Sequence, residues 1–83
     1  MITPKLVRQV RGALVAQWIL TGGQQPQMSL MSIGRAMGTN PRIGELEDAL
    51  NALVDSGEVE YEDVQPILYT ATAPGVRKAL MSL

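Results

Sequence analysis

The sequence predicts a mainly α-helical domain that carries a small β-hairpin. Three observations point there. Residues 4–20, 30–37 and 41–56 show apolar positions at helical spacing, and each stretch is followed by glycine. Glu58-Val59-Glu60-Tyr61-Glu62 alternates polar with apolar, and Ile67-Leu68-Tyr69-Thr70 returns after a turn. A last helical stretch then opens at Thr72-Ala73-Pro74. The chain has 83 residues, 46% of them hydrophobic, which is enough for one modest core and makes 1–83 a single domain.

Thr3-Pro4 starts the first helix, with a hydroxyl cap followed by proline at the first helical position. Val7, Val10, Leu14 and Trp18 share one face and are expected in the core. Lys5, Arg8 and Arg11 step by three and are expected as a basic stripe elsewhere on the cylinder. Beyond Ala13 the helix is apolar nearly all round, more than one packed face needs. Either the C-terminal segment covers the second face, or Val15, Ile19 and Leu20 meet another copy of the chain. Thr21-Gly22-Gly23 ends this helix, and Gly22 to Gln27 is a polar connector.

Met28-Ser29 is expected as a very short strand, and Ser29 as the cap of a helix over 30–37. Leu30, Ile33 and Met37 should face the core, with Met31, Ser32 and Arg35 outward. Gly34 costs that helix about 1 kcal/mol against alanine, so a close approach of a neighbouring helix is expected there. Gly38 is placed for the left-handed turn that follows. Asn40-Pro41 then repeats the cap-and-proline start, opening a helix to about Ser56 with Ile43, Leu46, Leu50, Leu53 and Val54 inward. Gly57 stops it. Val59 and Tyr61 are expected inward on the first hairpin strand, with Glu58, Glu60 and Glu62 on its solvated face. Asp63 to Pro66 forms the turn, and Val76, Ala79, Leu80 and Leu83 form the inner face of the last helix.

Composition excludes several chemistries. The chain has neither Cys nor His, so disulfides, thiolate metal sites and the commonest general base are ruled out. Gly22-Gly23 is no phosphate-binding loop. The expectation is a non-enzyme without cofactor or resident metal. The longest apolar run, Ala13 to Leu20, is broken by Gln17 and is too short to span a bilayer. With no signal peptide in view, a cytoplasmic protein without membrane attachment is expected.

The formal net charge of −1 conceals segregation. All eight acids lie between Glu45 and Asp63, and all seven basic residues lie outside that window. The result is a dipolar surface with two candidate partners, one polyanionic and one basic.

In this order the elements resemble the winged helix-turn-helix superfamily: a three-helix core, a two- to three-stranded wing and a short C-terminal helix. The resemblance covers nearly all of the chain. It is carried by LMSIGRAMG at 30–38, ALNALVDSGEV at 49–59 and ILYTATAPGVRKAL at 67–80. The last stretch is similar to the ending of small bacterial regulators, and the size suits a bacterial, plasmid or phage regulator. Two features depart from the pattern. Eighteen residues separate Gly38 from Gly57, longer than the usual spacing, and the third helix is acidic.

The resemblance implies a DNA-binding transcriptional regulator that acts as a homodimer, with helix 41–56 as the recognition helix. Base-reading positions would fall to Asn40, Arg42 and Glu45, and Arg35 would hold a phosphate. Lys5, Arg8 and Arg11 would add basic contacts, and Val15, Ile19 and Leu20 would form the dimer interface. The alternative is a protein-interaction module whose acidic 45–63 face meets a basic partner without touching DNA.

Overall fold

The computed structural model describes residues 4–24, 27–38 and 41–81. Seven elements follow one another: α1 (Pro4–Leu20), β1 (Met28–Ser29), α2 (Leu30–Met37), α3 (Ile43–Asp55), β2 (Val59–Glu62), β3 (Leu68–Ala71) and α4 (Ala73–Met81). The architecture is mainly helical with a small three-stranded antiparallel sheet in the order β1-β3-β2. Met28 pairs with Tyr69, and Val59, Tyr61 and Glu62 pair with Ala71, Tyr69 and Leu68. The cap role of Thr3 and the inward place of Leu83 fall outside the described residues.

The first helix is the hub, packing against α2, α3, α4 and β3. Val10 and Leu14 are fully buried, and Val7 and Trp18 pack half-buried beside them. Ile33 from α2, and Leu46, Ala49, Leu50 and Leu53 from α3, close the other side of this core. Val59, Tyr69, Ala71 and Val76 cap it from the sheet and α4.

Local chemistry sets the element ends. The Ser29 hydroxyl accepts from the Ser32 amide at 3.3 Å and caps α2, which satisfies an amide the helix cannot. Gly38 closes α2 at φ 68°, where a Cβ would be strained, and Gly57 turns the chain after α3 at φ 79°. Thr72 caps α4: its hydroxyl accepts from the Gly75 amide at 3.2 Å and donates to the Gly57 carbonyl at 2.7 Å.

Several sequence expectations are corrected. Val15 is 5% exposed and lies in the core, because α4 covers that side of α1 and so removes it from any dimer face. Ile43 is 65% exposed: it stands at the very start of α3, before the helix runs under α1. That helix starts at Ile43, two residues later than expected, since Arg42 keeps an extended backbone and contributes no side-chain cap. Among the described residues none lies within 4 Å of where a Cβ on Gly34 would stand, so none of their backbone crosses there.

On β2, Tyr61 shares a face with Val59 and pairs with Tyr69, ring centroids 6.4 Å apart. It remains exposed because the hairpin runs past the edge of the core. Glu58 is buried and precedes β2, so only Glu60 and Glu62 form the solvated strand face. Leu80 is half exposed, at the far end of the face that Val76 and Ala79 pack.

Candidate nucleic-acid interface

The α2–α3 pair carries Arg35, Arg42 and Glu45, three of the residues expected to meet DNA. Arg35 stands exposed in the last turn of α2, and Arg42 stands exposed at the start of α3. Glu45, Glu47, Asp48 and Asn51 follow, exposed, along the outer side of α3. Asn40 lies outside the described residues. A groove of about 300 Å³ runs between the two helices, with Arg35 at its rim and Met31, Gly34, Pro41 and Ile43 along its walls. Arg35 therefore borders a largely apolar cleft, Arg42 lies between two of its lining residues, Pro41 and Ile43, and the carboxylates lie further along α3.

The basic residues of α1 belong elsewhere. Lys5 and Arg8 are exposed, but Arg8 borders a separate groove of about 340 Å³ between α1 and α4, beside Ile19 and Leu80. Arg11 leaves the basic stripe altogether. It is 9% exposed, and its Nε lies 2.7 Å from Oε1 of Glu58, itself 6% exposed. The contact is close without the alignment of a directed hydrogen bond, and neither atom has a hydrogen-bonding partner among the described residues. A phosphate would have to break this pair to reach Arg11, so the residue serves the fold.

The environment of Glu58 explains why a carboxylate is tolerated inside. Oε2 accepts from the Ser56 hydroxyl at 2.5 Å and lies 3.8 Å from the Lys78 ammonium. The Glu58 carbonyl accepts from the Thr72 amide at 3.0 Å. A Cβ on Gly75 would collide with that carbonyl, so only glycine lets α4 approach so closely. One residue therefore ties α1, the end of α3, the start of β2 and α4 together. Burying a charge is costly unless it is paired and hydrogen-bonded, and here it is both. Sequence reasoning missed this node. The signal available was Arg11 itself, one position from Val10 and three from Leu14, on the flank of the buried helix face.

A third cleft, of about 490 Å³, lies between the outer side of α3 and the hairpin tip. Ser29, Leu30, Met31, Glu47, Asn51, Gln65, Pro66, Ile67 and Tyr69 line it. Burial raises the Tyr69 phenol above its ordinary value of 10.0, and the charges of Glu47 and then Tyr61 push it the same way. The phenol is thus kept neutral and able to donate a hydrogen bond.

Ile19 and Leu20 are 53% and 82% exposed at the end of α1, so two of the three residues expected at a dimer interface lie open. No described helix is long and apolar enough to cross a membrane. No family model, curated protein or solved structure matches this chain.

Proposed function

We propose that this chain is a winged helix-turn-helix DNA-binding regulator acting as a homodimer, with α3 as its recognition helix. The observation that carries the reading is the combination of element order and strand order. Helix, short strand, two helices and a returning hairpin, with β3 between β1 and β2, is the order expected of a winged helix, and it supports the reading. Arg35 and Arg42 at the two sides of the turn support it, since the first helix of such a motif crosses the phosphate backbone and the start of the second reaches base edges. Exposed Ile19 and Leu20 supply the apolar contact for a second copy. With Arg11 withdrawn into the fold, two half-sites are needed to gather enough phosphate contacts.

A second reading rests on the apolar α2–α3 groove. Met31 and Ile43 are 71% and 65% exposed beside the carboxylates of α3, a surface suited to a basic protein segment with an apolar anchor.

Selection of DNA sequences from a random duplex pool, followed by binding measurements on Arg42→Ala and Arg35→Ala, tests the proposal. Enrichment of a two-fold-related site is expected. Arg42→Ala should relax the base preference at one position of each half-site, at about 1–3 kcal/mol per lost base contact. Arg35→Ala should weaken binding to all duplexes alike. No enrichment, together with retention of a basic peptide, would move the assignment to the second reading.

A further inference from the structure

We propose that the cleft between α3 and the hairpin tip is a binding site for a small organic cation: an ammonium or amidinium group attached to a compact apolar body. The inference stands whether or not α3 enters DNA. The site is an open cleft whose volume of about 490 Å³ lies in the range of small-molecule sites. The lining divides into two parts. Leu30, Met31, Pro66 and Ile67 form an apolar floor and wall. Glu47, with Asn51 one helical turn further along the same face of α3, forms the polar end.

Charge decides what that end accepts. Among the described residues, Glu47 is the only acidic or basic side chain lining the cleft, and it forms no ion pair. Arg35 lines the neighbouring groove instead; Leu30 and Met31 line both and form the wall between them. Glu45 and Asp48, exposed on the same helix, add to the negative potential at the mouth. An anion would be repelled by this field, and a neutral molecule would gain nothing from the exposed Glu47 carboxylate. A cation answers it, with the amide oxygens of Asn51 and Gln65 as further acceptors and the neutral Tyr69 phenol beside them.

The cleft also spans elements distant in sequence. Glu47 and Asn51 belong to α3, Leu30 and Met31 to the start of α2, and Gln65 to Ile67 to the hairpin tip. An occupant would therefore fix the hairpin tip relative to α3.

The test is amide chemical-shift mapping of the full chain by two-dimensional NMR, titrated with benzylammonium, benzyl alcohol and benzoate. Saturable shifts confined to residues around Met31, Glu47, Asn51 and Ile67 are expected with benzylammonium alone. Glu47→Gln keeps the shape of the side chain and removes its charge, and should weaken that binding about tenfold or more. Arg77→Gln, on α4 and outside the cleft lining, should leave it unchanged. Three outcomes would overturn the proposal: no saturable shift with benzylammonium, equal binding of benzoate or benzyl alcohol, or full retention of binding by a folded Glu47→Gln chain.

Discussion

Arg11→Met is the substitution that most sharply tests how this fold is held. Methionine keeps a long, flexible side chain but removes the guanidinium, leaving Glu58, 6% exposed, without its 2.7 Å partner. Breaking a buried pair from one side costs about 3–5 kcal/mol, because the remaining charge is uncompensated. Two groups soften the loss: the Ser56 hydroxyl at 2.5 Å and the Lys78 ammonium at 3.8 Å both stay with Oε2. The lower end, about 3 kcal/mol, is therefore expected. An 83-residue chain has roughly 4–12 kcal/mol in all, so this is a large share. Urea unfolding followed by far-ultraviolet circular dichroism measures it. The double variant Arg11→Met/Glu58→Met should be more stable than Arg11→Met alone, with a coupling of about 2 kcal/mol or more between the sites. Loss of less than about 0.5 kcal/mol in Arg11→Met, or strictly additive single effects, would refute the buried-pair argument.

Other positions give further tests. Gly75→Ala should destabilise by about 1–3 kcal/mol, since the added methyl meets the Glu58 carbonyl, whereas Gly34→Ala and Gly44→Ala, with open space at Cβ, should each gain about 0.5–1 kcal/mol; thermal melting separates the two classes. Ile43→Asp should fold normally and Leu50→Asp should not, because Ile43 is 65% exposed and Leu50 is fully buried; an unfolded Ile43→Asp chain would place α3 in a different rotation. The raised Tyr69 phenol predicts a pH effect. The folded state holds its proton at pH values where the unfolded state has lost it, so stability is intact below pH 10.0 and falls as pH rises through the folded-state value. Tyr69→Phe should flatten that alkaline decline in urea midpoints, and an unchanged slope would contradict the assignment.

The helices and hairpin were legible because their signals are local. Capping Ser29, the glycines at 38 and 57, and the periodicity of Val10, Leu14, Leu46, Leu50 and Leu53 all act within a turn or two of their own residues. What escaped depends on contacts between distant segments. Glu58 fits an alternating strand by sequence, yet Arg11, Ser56 and Lys78 converge on it from three helical regions and draw it inside. Ile43 carries the right phase for the core, but phase does not tell how far along a helix its neighbours extend. Gly34 and Gly75 are indistinguishable in sequence, and only the second sits where another backbone passes. The candidate interface was partly legible: Arg35 and Arg42 flank the turn as expected, while Arg11 and Val15 were lost to the interior.

The central claim is that the α2–α3 surface meets DNA, and on a generic duplex, which offers Arg42 no cognate base, both Arg35 and Arg42 rest on phosphates. Its most direct test is fluorescence anisotropy of a labelled generic duplex titrated with the full chain between about 50 and about 200 mM salt. Binding is expected to weaken steeply, with a log–log slope of about −2 for each chain that engages both arginines, and to lose about half of that slope in Arg35→Ala. Absence of binding at the lowest salt, or binding indifferent to salt, would contradict the claim.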